Sequence, residues 1–200
     1  LTVSAPNVTT TYDGAAHPVT PTASVPGATI TVTYTDADGN TITGEPIDAG
    51  TYTAAITATL PGYAAATSSA TVTINPATLS VTTPNAIKVY DGTPLIAPGN
   101  ATDIVGLVDD ETVRYQTVGS QTQIGTSSND YTLEWSGTAE ASDYSVTATL
   151  GTLTVTGANV TVTKTPITPE GGYKAGDDVV WTITVINNDP DHAAIDLSLT

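Results

Sequence analysis

Apolar and polar residues alternate along most of this chain with a period of two. Thr29 to Thr35 reads Thr-Ile-Thr-Val-Thr-Tyr-Thr, which puts Ile30, Val32 and Tyr34 on one face and threonines on the other. The same alternation runs through Thr53–Thr59, Thr71–Ile74, Leu150–Val155, Val160–Thr163 and Val179–Ile186. Threonine suits this pattern because its β-branched carbon tolerates strand geometry while its hydroxyl faces water. No stretch carries a convincing helical period. Turn signals punctuate the runs: Val25-Pro26-Gly27, Leu60-Pro61-Gly62 and the Asp38-Gly39 pair. Many short strands with turns every 8–12 residues or so predict an all-β fold built from antiparallel sandwiches.

The pattern is stated twice. Tyr12-Asp13-Gly14 returns 78 residues later as Tyr90-Asp91-Gly92, Tyr52 returns after 79 as Tyr131, and Tyr63 after 81 as Tyr144. The expected organisation is therefore two tandem copies, residues 1–76 and 77–157, followed by a shorter remainder, 158–200. Asp48-Ala49-Gly50-Thr51-Tyr52 matches the tyrosine corner of immunoglobulin-like sandwiches, in which the hydroxyl reaches back to the turn before its strand. That refines the expectation to tandem immunoglobulin-like antiparallel β-sandwiches. In the second copy Gly125 and Tyr131 are four residues further apart than Gly50 and Tyr52, so a loop is expected in place of the corner. The short junctions Asn75-Pro76-Ala77 and Thr156-Gly157-Ala158-Asn159 favour limited bending between neighbours.

Composition narrows the function classes. The core must come from Val, Ile, Leu, Ala and nine Tyr, since the chain has no Phe, Met or Cys. Four basic residues face 20 acidic ones, for a net charge of −16. Nucleic acid is disfavoured as a partner, because phosphate binding needs Lys and Arg to displace counterions. Anionic membrane surfaces are disfavoured on the same ground, and no apolar run approaches the roughly 20 residues of a membrane span. The chain lacks a signal peptide and a wall-anchoring motif, and it reads as a segment of a longer exported protein.

Lys88-Val89-Tyr90-Asp91-Gly92-Thr93-Pro94-Leu95, Ile104-Val105-Gly106-Leu107-Val108, Gly119-Ser120-Gln121-Thr122, Tyr144 and Gly151-Thr152-Leu153-Thr154-Val155 together resemble the MBG/YDG repeats of bacterial surface proteins. The first copy, with Tyr12-Asp13-Gly14, Ala16-His17-Pro18-Val19, Gly50-Thr51-Tyr52 and Pro61-Gly62-Tyr63, is similar to a second variety of that group. Val162-Thr163-Lys164, Tyr173-Lys174-Ala175-Gly176-Asp177 and Trp181 to Asn188 resemble the opening of another cell-surface repeat. These resemblances imply large exported proteins with structural or adhesive roles, located outside the cell or on the bacterial wall, and no catalytic residues. The expected function is a non-catalytic stalk or spacer whose partners are other domains of the same protein. The alternative is an adhesin module that binds host mucin or glycans weakly through repeated sites.

Candidate chemistry is sparse. His17 and His192 stand in different segments, and no Cys is present to complete a nucleophilic or transition-metal site. The paired acids at Asp109-Asp110-Glu111 and Asp177-Asp178 fall in turns, where a cleft for glycoside hydrolysis is not expected. Calcium is the one cofactor to consider, at Asp36, Asp38 and Asn40, where alternating oxygen side chains suit a hard cation; a hairpin turn explains them equally well. Tyr12 and Tyr90 are candidate platforms for a sugar ring, against the plainer reading of core lids. An intramolecular isopeptide bond, known in pilin-like surface domains, would use Lys164 with Asn187 or Asn188.

Overall fold

The computed structural model describes residues 1–188, whose regular secondary structure is strand apart from two three-residue 3-10 turns. His192 lies outside the described residues. Contacts divide the chain into two compact units. The first holds residues 1–83, 99–116 and 132–149; the second holds 84–98, 117–131 and the described residues from Leu150 to Asn188. Ala77–Thr82 thus falls with the first unit.

In the first unit the central sheet has the order β2 (Val8–Thr11), β6 (Ala66–Asn75), β5 (Gly50–Thr59), β4 (Thr29–Thr35). Beside it, β1 (Val3–Ser4) pairs with β3 (Thr22–Ala23), and β1 packs on β5 and β6. A three-stranded sheet runs β13 (Tyr144–Thr149), β7 (Ala77–Thr82), β9 (Ile104–Val105), and β10 (Thr112–Thr117) pairs with β12 (Tyr131–Ser136). Alternation decides the core. Tyr52, Ala54, Ile56 and Ala58 of β5 point inward with Ala70, Val72 and Ile74 of β6, while the intervening threonines and serines face out. Leu79, with no exposed surface, carries the same core onto β7. A side chain such as Ile56, 1% exposed, contributes on the order of 2–3 kcal/mol by burial.

The second unit contains the sheet β11 (Gly125–Ser128), β14 (Thr152–Thr156), β8 (Ala86–Val89) over a small cluster of Leu95, Ala97, Leu153 and Val155. It also contains the ribbon β15 (Val160–Pro166) with β16 (Trp181–Asn187).

The all-β expectation holds, and the sheets are mixed rather than wholly antiparallel. Three pairs run parallel: β2 with β6, β8 with β14, and β7 with β13. Each joins an early strand to a late one, a pairing that local alternation cannot reveal. Two of these pairs are built alike. Asn7 Oδ1 accepts the Thr71 amide (2.8 Å) beside β2, and Asn85 Oδ1 accepts the Thr152 amide (2.7 Å) beside β8. The Tyr12 amide donates to Asn75 O and the Tyr90 amide to Thr156 O, both at 2.8 Å.

The Tyr-Asp-Gly motif is a turn in both places. Asp13 Oδ1 accepts the Ala15 amide (3.0 Å) and Asp91 Oδ1 the Thr93 amide (2.9 Å), and Gly14 and Gly92 take φ of +74° and +78°. A basic group closes each turn, His17 on Asp13 and Lys88 on Asp91. The tyrosine corner is present: the Tyr52 hydroxyl donates to Asp48 O (2.9 Å). Where a loop was expected between Gly125 and Tyr131, the chain forms β11 instead. Ser127 and Thr126 alternate well enough to pair with Leu153 and Thr154, and the break comes at Asn129, whose buried amide group donates to Pro84 O and Ala97 O.

Candidate functional site

In the first unit a cleft of about 540 Å³ gathers acids and a phenol: it is lined by Tyr12, Asp48, Asp109, Asp110, Glu111 and Glu140 among others. Tyr12 reaches it from the end of β2, held by its amide bond to Asn75 O. Asp48 stands two residues before β5, in the turn that the Tyr52 hydroxyl ties down. Asp109 to Glu111 lead into β10 through a tight turn in which the Glu111 amide donates to Val108 O (3.1 Å). Asp109 has φ +45°, the one positive value outside glycine among the described residues.

Two phenols converge on one carboxylate. The Tyr12 hydroxyl donates to Glu111 Oε1 (2.6 Å) and the Tyr144 hydroxyl to Glu111 Oε2. Tyr144 also accepts the Val108 amide (2.9 Å). Its ring meets Tyr12 edge-on at 5.7 Å and stacks on Trp135 at 5.3 Å. Both phenols are pushed above their ordinary range, first by burial and then by donating to the Glu111 carboxylate; Tyr144 reaches about 12. They remain donors at any physiological pH.

Asp143, with no exposed surface, feels the charges of the cleft acids Asp48, Glu140 and Glu111. Its Oδ1 accepts the Ala49 amide (2.7 Å), and its Oδ2 is buried with no hydrogen-bond partner among the described residues. Burial raises this carboxyl, the Ala49 N–H opposes the rise, and the charges of Asp48, Glu140 and Glu111 add to it. The arrangement supplies acceptors and negative potential. Among the described residues, no three His, Asp or Glu side chains converge closely enough to hold a metal ion.

The residues singled out from sequence are placed as follows. Tyr12 is 5% exposed, so the expected sugar platform is corrected to a core ring: it meets Tyr144 edge-on and its hydroxyl is engaged. Tyr90 is half-buried and packs on the Leu95, Ala97, Leu153 and Val155 cluster. Asp36, Asp38 and Asn40 form a hairpin turn in which the Asp36 carboxylate is engaged. Asp36 Oδ1 accepts the amides of Asp38 (3.0 Å) and Asn40 (2.8 Å), and the Asn40 side chain is the main cause of the lowered Asp36 carboxyl. The isopeptide geometry is also corrected. Lys164 lies opposite Ile183 and Asn187 opposite Val160, four residues along the ribbon, or about 13 Å. Lys164 instead rests over the Trp181 ring at 4.5 Å, and Asn188 Nδ2 donates to Thr161 Oγ1 (2.7 Å).

Of the acids noted in turns, Asp109, Asp110 and Glu111 are brought together with Asp48 and Glu140, whereas the Asp177 carboxylate is taken up by the Lys174 amide (2.6 Å). The sequence reading did not foresee Asp143 or the Tyr12, Glu111, Tyr144 group. The available signal was the pair Asp143-Tyr144, which stands where the first copy has Gly62-Tyr63: an acid has entered beside an aromatic. No family model matches the chain, and no curated protein matches it.

Proposed function

We propose that this chain is a non-catalytic stalk or spacer segment of a bacterial cell-surface or secreted multidomain protein. The observation that carries the reading is the joint at Pro76. A single residue separates β6 from β7, and residues of the first sequence copy bond to residues of the second within one compact unit: Tyr12 to Glu111 and Ala49 to Asp143. A free tether at this point would leave those groups unpaired. A spacer has the opposite requirement, a joint that resists bending.

Two further observations support it. The parallel pairs β2 with β6 and β8 with β14 each join the early strand of a copy to its last strand. Tension applied through the chain would load such pairs along their length, so that their hydrogen bonds must fail together rather than one at a time. The surplus of acid keeps neighbouring copies apart in solution. The resemblance to MBG/YDG repeats points to the same setting. Glycan binding through matched tyrosines draws no support from Tyr12, whose ring is buried.

Hydrogen exchange with increasing denaturant tests the joint. Amides of β7 and of Ala49 should open with the same free energy as those of β5 and β6, as one cooperative body. If β7 and β13 exchange at a distinctly lower free energy, the joint is soft and the spacer reading loses its support.

A further inference from the structure

We propose that Asp143 is an acid-responsive latch: its protonation tightens the first unit at the seam where residues of both sequence copies meet, and its ionisation loosens that seam. The inference concerns the folding of this unit and stands whether or not the chain is a spacer.

The geometry carries it. Asp143 closes the 3-10 turn Ala141–Asp143 and is wholly buried. One oxygen is committed to the Ala49 amide, 94 residues away in sequence, while the other is sealed from solvent with no donor among the described residues. A buried carboxylate with an unpaired oxygen is far more costly than a neutral carboxylic acid in the same place. The groups around it make ionisation harder still. Asp48 faces it from the turn before β5, Glu111 from the turn before β10 and Glu140 from its own turn. The phenols of Tyr12, just after β2, and of Tyr52 and Tyr144, from β5 and β13, also sense its charge. Every charged group among these is an acid.

The fold therefore raises the Asp143 carboxyl, chiefly by burial. A folded state that holds a proton more tightly than the unfolded chain gains stability from it. That gain is complete below the unfolded carboxyl value near 4 and is lost as pH rises through the higher folded value. The usual surface carboxylate behaves in the opposite sense. Each unit of displacement corresponds to a tenfold change in the folded-to-unfolded ratio across that window.

Asp143→Asn mimics the protonated acid: its oxygen still accepts from Ala49 and it never ionises. The full chain carrying Trp181→Phe, so that Trp135 alone reports, would be melted from pH 4 to 7.5 with and without Asp143→Asn. The expected result is a midpoint for the Asn variant that rises relative to wild type as pH increases, with the two closest at pH 4. A gap independent of pH, or one that closes as pH rises, overturns the proposal. A carbon-13 titration of the Asp143 carboxyl in the wild-type chain decides the matter even if the variant fails to fold. A midpoint above the ordinary aspartate range supports the latch, and one at or below that range refutes it.

Discussion

Replacing Tyr12 and Tyr144 by Phe, singly and together, tests the Glu111 clasp. Each change removes one hydroxyl and leaves the ring, so no cavity opens and the effect reports hydrogen bonding. A bond to a charged acceptor contributes about 1.5–3 kcal/mol. For Tyr12 the lower part of that range applies or a little less, about 1–1.5 kcal/mol, because Glu111 keeps Tyr144 as a donor and lines an open cleft where water can replace the lost hydroxyl. Tyr144→Phe should cost more, about 2–3 kcal/mol, because the Val108 amide also loses its acceptor. The two changes share one carboxylate, so the double variant should depart from additivity by at least about 0.5 kcal/mol. Urea unfolding followed by Trp135 fluorescence in a Trp181→Phe background gives the three values, and the stack of Trp135 on Tyr144 makes that probe local. An effect of Tyr12→Phe equal to or larger than that of Tyr144→Phe would refute the reasoning. So would two near-neutral changes.

Three other expectations follow from particular contacts. Asn7→Ala and Asn85→Ala should speed exchange of the Thr71 and Thr152 amides by a similar factor, about three- to tenfold, since each removes one exposed side-chain acceptor; hydrogen exchange by NMR reads both. Gly106→Ala should destabilise the first unit by more than about 3 kcal/mol, because φ is +109° and the new methyl would sit 2.2 Å from Thr78 O; Gly39→Ala, at φ +87° with open space around it, should cost about 1 kcal/mol by the same melts. The Asp91 carboxyl is held well below its ordinary range, first by the Lys88 ammonium and then by the Thr93 amide. Its contribution is present above the unfolded value near 4 and lost as pH falls through the lower folded value, so Asp91→Asn should matter at pH 7 and cease to matter in strong acid, the reverse of Asp143→Asn.

Strands whose partners are adjacent in sequence were legible, and long-range pairings were not. Thr29–Thr35 was read to the residue as β4, and the Tyr52 corner was read with its acceptor turn, because both depend on local alternation or a four-residue reach. Leu150–Val155 was read as one strand, yet pairing begins at Thr152, after Leu150 and Gly151 separate β13 from β14. The first copy keeps one continuous strand there, Ala66–Asn75, with no glycine to interrupt it. The parallel pairs depend on which distant strands meet, and alternation is silent about that. Tyr12 was legible as an aromatic beside a turn, whereas its burial depends on Tyr144 and Glu111, both of which arrive from the other copy. Beyond its place beside Tyr144, Asp143 gave no sign of its burial, since an acid after Ala-Ser looks like any solvated turn until Ala49 is placed against it.

The most direct test of the stalk account is to pull a single full chain between its ends. The account predicts discrete, abrupt releases as the parallel pairs β2 with β6 and β8 with β14 fail, at forces well above those that unzip a hairpin. Smooth extension at low force, without discrete releases, would contradict it.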